Sequence, residues 1–263
     1  MQEIINRAYK GLLDVVDNYT KKAATIKRPS AVKLTEKPSY AYACDNYIDS
    51  FLENKFTQST LRTIVDKYYG NLFESIIKND TKITLSNFPR FWSNYQHCCS
   101  TLKIENSPIA YITSKLKGIN ALSVEIRKEP AILFSYQSAI ILDDNELRFL
   151  IGHELGHIQL GHLVAHTLQG VLLDLNKRTE LLGSLVTDLI EVPLNRWYRI
   201  SEFTADRAGY LCCLNMDSIK SLFYRFPSEE VNAFAQYKEL SEAYPLVEER
   251  LVELQKFVSK KEI

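Results

Sequence analysis

A histidine–glutamate motif of the form H-E-x-x-H spans residues 153–157. On an α-helix, positions i and i+4 share one face about one turn apart, so both imidazoles can reach one ion. Glu154 is rotated by about 100° from His153, beside the water molecule that such an ion would hold. Zinc with three protein ligands and an open position lowers the pKa of bound water to about 7, and Glu154 can then act as general base. The motif predicts a hydrolytic metal centre, against the alternative of buried structural histidines.

A third ligand must come from outside this motif. A continuation with Gly at 160 and His at 163 would supply a histidine, but the chain has Leu160 and Leu163 there. A carboxylate from a later helix is therefore expected, and the candidates are Glu180, Glu191 and Glu202. Only Glu202 has a carboxylate, Asp206, at i+4 on the same helical face. Since a ligating histidine usually donates its second ring N–H to a carboxylate, we predict Glu202 as the third ligand and Asp206 as the partner of a histidine.

A second i, i+4 pair of histidines follows the motif at His162 and His166. If the helix continues, these side chains point to the side opposite His153 and His157. We expect packed or exposed histidines here, with a second metal site as the alternative.

The elements that position these residues can be read from capping and periodicity. Asp143 followed by Glu146 resembles a capping box and predicts the start of the helix that carries the motif, with Gly161 near its end. A helix from about Asn195 to Leu214 carries Glu202, and residues 246–259 form a C-terminal helix.

Three short β-like runs precede the motif helix, at Leu122–Arg127, Ala131–Ser135 and Ala139–Leu142. They predict a small antiparallel sheet. Ser107 and Pro108 indicate the start of a helix that reaches about Leu116.

The remaining helix candidates are 3–26, 42–53, 58–78, 87–100, 162–175, 179–190 and 228–243. We predict an α+β, mostly α chain, with a helical module or cap over 1–104 and a zincin-like metallopeptidase domain with its small antiparallel sheet over 105–263.

Composition narrows the function classes. Lys+Arg and Asp+Glu number 32 each, so no net charge points to nucleic acid. The five cysteines form no C-x-x-C pair and are expected as buried reduced thiols, which together with the lack of a signal-peptide start predicts a cytoplasmic location. No stretch is apolar enough for a membrane span, although peripheral contact through a basic N-terminal helix is conceivable. Oligomeric state is left open.

Residues 105–258 resemble the gluzincin family of CaaX prenyl proteases and HtpX-type proteases, peptidase family M48. Three segments in order carry the resemblance: D-N-E-L-R-F-L-I-G before the H-E-x-x-H motif, S-E-F-T-A-D-R-A-G at 201–209, and Y-P-L-V-E-E-R-L at 244–251. The stretch between 163 and 200 lacks the transmembrane helices of integral-membrane members, so a soluble member is implied.

The resemblance implies endopeptidase activity with His153, His157 and Glu202 as zinc ligands and Glu154 as general acid/base. Asp206 matches the acidic partner. Arg250 matches a position that helps to hold substrate, and Tyr244 replaces a histidine that could donate to the developing oxyanion. The family's substrate-binding edge strand corresponds to Ala131, Ile132 and Leu133, without the usual asparagine.

We therefore expect a zinc metalloendopeptidase with one Zn²⁺ per chain and a protein or peptide substrate. Two alternatives remain at this stage. One is a regulatory zincin that acts on a single protein partner, and the other is a non-catalytic zinc-binding protein.

Overall fold

The computed structural model describes residues 37–42, 78–126, 129–163, 166, 192–225 and 246–260. Four strands lie in these ranges: β1 (Thr81–Lys82), β2 (Ile109–Thr113), β3 (Ala121–Ile126) and β4 (Glu129–Ser135). Six helices accompany them: α1 (Pro89–Thr101), α2 (Tyr136–Ile141), α3 (Asp144–Gln159), α4 (Val192–Cys213), α5 (Met216–Arg225) and α6 (Val247–Ser259). The predicted α+β, mostly helical class is confirmed. None of the helices in the described ranges is both long and apolar enough to cross a bilayer.

The four strands form one mixed sheet in the order β1-β2-β4-β3. Strand β2 runs parallel to β4 with Ile109 opposite Ala131, whereas β3 runs antiparallel to β4 with Ala121 opposite Phe134. The expectation of a purely antiparallel sheet is therefore wrong, because β2 was not recognised as a strand.

Two local predictions fail before the motif helix. The predicted helix from Ser107 to Leu116 contains β2, an apolar run whose last four residues are buried, and such a run shows no strand alternation. The predicted strand Ala139–Leu142 lies mostly in α2, which begins where the Ser135 hydroxyl accepts a hydrogen bond from the Ser138 amide at 3.0 Å. This side-chain cap starts the short helix, and hydrophobic periodicity over so few residues does not reveal a helix.

Helix α3 begins as predicted. The Asp143 carboxylate accepts from the Glu146 amide at 2.9 Å, and the Glu146 carboxylate accepts from the Asp143 amide at 3.0 Å, which completes the capping box. The guanidinium of Arg225 in α5 forms an ion pair with the buried Glu146. The first turn of the motif helix is thereby tied to α5.

Helices α3 and α4 approach unusually closely along a line of small residues. A Cβ added at Gly156 would lie 2.8 Å from the Ala208 Cβ, and one added at Gly152 would lie 2.7 Å from the Cys212 Sγ. Side chains larger than hydrogen at these two positions would force the helices apart. The close approach brings the α4 carboxylates against the histidines of α3.

The main core lies between the sheet, α1 and α3. Phe91 of α1 meets Phe134 of β4 edge to face, with ring centroids 4.8 Å apart, and Ile151 of α3 is fully buried in the same cluster. Helix α1, which the predicted boundary assigns to the N-terminal module, thus packs directly against the motif helix. The boundary at 104/105 stays a prediction.

The short segment 37–42 lies against the same helices. The Tyr40 hydroxyl donates to Oε1 of Gln159 at 2.5 Å, in the last turn of α3. The Tyr42 amide donates to the Thr204 hydroxyl of α4 at 3.0 Å, and the Tyr42 hydroxyl donates to Glu253 of α6 at 3.0 Å. This segment therefore connects the three helices around the site.

Predicted helices 3–26, 58–78, 162–175, 179–190 and 228–243 lie largely or wholly outside the described residues, as does 42–53 beyond Tyr42. The predicted helices 87–100, 195–214 and 246–259 correspond to α1, α4 and α6, so these three predictions are confirmed.

Candidate metal centre

Helix α3 presents both motif histidines to one point. His153 and His157 are 7% and 3% exposed, and their Nε2 atoms lie 3.1 Å apart. Glu154, the next residue after His153, is also buried. One turn of helix therefore places two imidazole nitrogens at one buried point, as the spacing predicts.

Helix α4 supplies a carboxylate to the same point. Glu202 is 2% exposed; its Oε1 lies 3.4 Å from Nε2 of His157 and its Oε2 lies 3.5 Å from Nε2 of His153. The three residues offer ligand atoms that all lie within 4.8 Å of one another. Oε2 is buried and has no hydrogen-bond partner among the residues that the structure describes.

These separations fit a tetrahedral metal. With zinc–ligand bonds of about 2.0–2.2 Å, two corners of a tetrahedron lie roughly 3.3–3.6 Å apart, close to the three separations observed. Two imidazoles and one carboxylate form a donor set that catalytic zinc uses. A cation would also bind Oε2 of Glu202, a buried oxygen that accepts no hydrogen bond among the described residues and is costly in that state.

The electrostatics of the group favour positive charge. Burial would lower the pKa of His153, but Asp206, hydrogen-bonded to its Nδ1, and the Glu202 carboxylate beside its Nε2 raise that pKa to about 9. Burial would raise the pKa of the Glu202 carboxyl, yet the two motif histidines beside its oxygens hold that pKa well below its usual value. The same negative potential stabilises a proton on a histidine or a metal ion, so the site attracts either.

Asp206 supports the group from behind. Its Oδ1 lies 3.0 Å from Nδ1 of His153, on the ring atom opposite the one that faces Glu202. Although burial would raise the pKa of Asp206, the Arg250 guanidinium lowers it: Nε donates to Oδ2 at 2.8 Å and Nη2 donates to Oδ1 at 2.5 Å. Asp206, one turn after Glu202 on α4, therefore lies between His153 and Arg250.

Sequence comparison bears on the same residues. Residues 93–258, more than half of the chain, match the sequence model of Peptidase family M48. The chain belongs to peptidase family M48. Members of this family are zinc metallopeptidases, and the H-E-x-x-H helix, Glu202 and Arg250 all lie within the matched range.

Part of the chain is also similar to a plant metallopeptidase. The chain is 32% identical over 93 residues to a protein of Arabidopsis thaliana named plastoglobule-localized metallopeptidase 48, chloroplastic. The alignment covers 35% of this chain and 27% of that protein, so the chain spans about a quarter of the length of the relative. No solved structure matched the chain.

The second histidine pair lies beside the first, which the sequence did not reveal. Helix α3 ends at Gln159, and Gly161 adopts a left-handed conformation with φ of 71°, so the helix does not continue into His162. The chain turns back, and Nδ1 of His162 lies 3.0 Å from Nδ1 of His157. The opposite orientation of His162 and His166 holds only for a continuous helix, and this helix ends before them, so both rings lie beside His157.

His162 is buried and His166 is half-buried in an aromatic environment. Their rings stack 6.0 Å apart, and Trp197 meets both edge to face at 5.2 and 5.6 Å. Burial lowers the pKa of both imidazoles well below the usual value. The predicted helix end near Gly161 already implied a change of chain direction before His162, since a glycine in this position commonly ends a helix.

The strand predicted to bind substrate is not at an edge of the sheet in this M48 chain. Ala131, Ile132 and Leu133 lie on β4, which pairs with β2 on one side and β3 on the other. These three residues are buried, and their backbone lies inside the sheet. Strand β4 therefore offers no free edge to an extended substrate. The edge strand on this side of the described sheet is β3.

Two other predicted site residues have different outcomes. Tyr244 lies outside the described residues. Arg250 of α6 is 6% exposed and faces the carboxylates of α4, with its Nη2 3.7 Å from Oε2 of Glu202. This position fits a residue that holds the centre together, and contact between Arg250 and substrate stays a prediction.

Proposed function

We propose that this M48 protein is a zinc metalloendopeptidase that binds one Zn²⁺ per chain through His153, His157 and Glu202. The observation that carries the proposal is the buried group of two imidazoles and one carboxylate, in which a Glu202 oxygen lacks a hydrogen-bond partner among the described residues. Zinc in such a site polarises a carbonyl oxygen and lowers the pKa of a bound water.

Glu154 is the general base in this proposal. It follows His153 directly in the buried part of α3, so its carboxylate can accept a proton from the attacking water. The same carboxyl then donates that proton to the amide nitrogen of the leaving peptide. Glu154 is 6% exposed, which limits competition from bulk water for the proton.

Asp206 and Arg250 hold the histidine in place. The Asp206 carboxylate accepts the Nδ1–H of His153, which fixes the tautomer in which Nε2 is free to bind a cation. Arg250 binds Asp206 through two nitrogens and so fixes the carboxylate in turn. This chain from α6 through α4 to α3 gives the imidazole a defined orientation.

The substrate in this proposal is a protein or peptide in extended form. Among the described residues β3 pairs only with β4, and β3 packs against the motif helix. An extended peptide could add to the outer edge of β3 by backbone hydrogen bonds, close to the centre. Tyr244 would be a candidate hydrogen-bond donor to the oxyanion.

A cytoplasmic location belongs to the proposal as well. The four cysteines in the described ranges, Cys98, Cys99, Cys212 and Cys213, are all buried free thiols. Free thiols suit a reducing compartment.

The test compares zinc content and peptide-library cleavage of wild type, Glu154→Gln and Glu202→Ala. Exposed Glu105 provides a matched control, Glu105→Gln. We expect one zinc and cleavage in wild type, zinc without cleavage in Glu154→Gln, and loss of zinc in Glu202→Ala. Full proteolysis by Glu154→Gln would refute the role of the base. Zinc binding without any cleavage of a broad library would instead support action on one partner or a non-catalytic role.

A further inference from the structure

His157 uses both of its ring nitrogens inside the protein. Its Nε2 faces Nε2 of His153 at 3.1 Å and Oε1 of Glu202 at 3.4 Å. Its Nδ1 lies on the other side of the ring, 3.0 Å from Nδ1 of His162. His153 has the same arrangement, with Asp206 in place of His162. Each motif histidine therefore has a polar group behind it, but only one of these groups is a carboxylate.

The position of the proton on His157 follows from its proposed role. A neutral imidazole that gives the lone pair of Nε2 to a metal carries its hydrogen on Nδ1. His157 is almost fully buried, so this N–H needs an acceptor within the protein. Among the described residues the Nδ1 of His162 is at hydrogen-bond distance from it. It can accept when the proton of His162 is on Nε2.

We infer that His162 is a positioning residue, the hydrogen-bond acceptor that holds His157 with its Nε2 towards the metal site. The inference rests on the proposed zinc site. His162 would accept the Nδ1–H of His157 in the same way as Asp206 accepts the Nδ1–H of His153.

The local fold holds His162 in this place. Gly161, with its φ of 71°, lets the chain reverse after α3, and the His162 amide donates to the carbonyl of His157 at 2.9 Å. The same two residues are thus linked by backbone and by side chain. The indole of Trp197 packs edge-on against the His162 ring at 5.2 Å, which limits rotation of the imidazole.

His166 belongs to the cluster but does not share this role. Its Nε2 lies 2.7 Å from the Ser201 hydroxyl oxygen, and that hydroxyl donates to the Tyr198 carbonyl at 2.6 Å. The Ser201 oxygen is therefore an acceptor for Nε2–H of His166. His166 touches His157 only through ring contact, with centroids 4.5 Å apart.

A second metal ion is the competing use of this cluster, since ligand atoms of His157, His162 and His166 lie within 4.8 Å of one another. That ion would have to remove the Nδ1 proton of His157 while Nε2 binds the first ion, which turns the ring into a bridging imidazolate. The three ligands also lack a carboxylate to balance a second dication. A hydrogen bond requires neither change.

Two substitutions at one position separate these uses. The oxygen of an asparagine side chain lies about where Nδ1 of a histidine lies, so His162→Asn keeps an acceptor, whereas His162→Leu fills similar space without one. His166→Leu is the matched control, because it removes a neighbouring ring and leaves the acceptor. Zinc stoichiometry and zinc affinity are measured on each protein by competition with a chelator, and thermal unfolding checks the fold.

We expect one zinc in wild type, an affinity about 10- to 100-fold weaker in His162→Leu, and recovery to within a few-fold in His162→Asn. His166→Leu should also remain within a few-fold of wild type. Equal losses in His162→Leu and His166→Leu, or no recovery with asparagine, would overturn the inference in favour of simple packing. Two zinc ions in wild type, with one lost in either leucine variant, would overturn it in favour of a second metal site.

A measurement on wild type keeps the inference testable if a variant fails to fold. In the zinc-bound protein, nitrogen-15 NMR of the imidazoles should show the proton of His157 on Nδ1 and that of His162 on Nε2. A proton on Nδ1 of His162 would contradict the inference while the zinc site stands. Absence of zinc from wild type would reject the proposed function itself, and the inference with it.

Discussion

The close contact between α3 and α4 gives the most direct test of how the fold builds the centre. In Gly156→Ala the new Cβ would lie 2.8 Å from the Ala208 Cβ and 3.3 Å from the Ala205 Cα. Ordinary contact begins at 3.4 Å, so α4 must yield by roughly half an ångström. Glu202 and Asp206 lie on α4 and would move with it.

The expected cost follows from two opposing effects. Overpacking of a tight core costs about 1–3 kcal/mol, whereas replacing glycine by alanine inside a helix recovers about 1 kcal/mol. We expect Gly156→Ala to lose up to about 2 kcal/mol of unfolding free energy, or a few degrees in Tm. Zinc affinity should fall on the order of tenfold, the lower end of the range for disturbed ligand supports.

The assays are urea unfolding of the metal-free protein and chelator competition for zinc. The matched rescue is the double variant Gly156→Ala with Ala208→Gly, which moves the methyl group from one helix to the other and restores the space. We expect it to regain most of the zinc affinity, although glycine in α4 costs about 1 kcal/mol of stability. Unchanged zinc affinity in Gly156→Ala, or no recovery in the double variant, would show that this contact does not position Glu202.

Two further predictions concern the ion pairs behind the site. Asp206→Asn keeps the shape of the side chain but removes the charge that His153 and Arg250 bind, so zinc affinity should fall about 10- to 100-fold; an unchanged chelator-competition curve would contradict this. Arg250→Met leaves the buried Glu202 and Asp206 without their cation, so the metal-free protein should lose about 3–5 kcal/mol of unfolding free energy. Urea unfolding measures that loss, added zinc should reverse part of it, and unchanged stability would contradict it.

Local rules account for what the sequence predicted well. The capping box at Asp143 and Glu146 and the helices α1, α3, α4 and α6 depend on neighbours within one or two turns. The choice of Glu202 as third ligand also used a neighbour within one turn, because Asp206 lies four residues later. Both carboxylates do face the histidines of α3, since one turn of helix fixes their relation before any tertiary contact forms.

The features that the sequence did not predict depend on contacts between residues far apart in the chain. Strand β2 is buried between β1 and β4, and a fully buried strand carries no alternation that separates it from a short buried helix. The position of β4 inside the sheet depends on pairing with a strand some twenty residues earlier, which no local pattern encodes. The contact between His162 and His157 depends on how the chain leaves the helix at the left-handed Gly161, and the predicted helix end alone does not specify that direction.

The charges of the buried group explain why the metal and the fold depend on one another in the proposed function. Glu202 and Asp206 carry two negative charges, and Arg250 supplies one positive charge against them. Within this trio one buried negative charge exceeds the positive charge, which is costly at this depth. In the metal-free protein a proton on His153 compensates this negative charge, consistent with the raised pKa of that histidine. A zinc ion would displace this proton, so zinc binding should weaken as the pH falls below about 9.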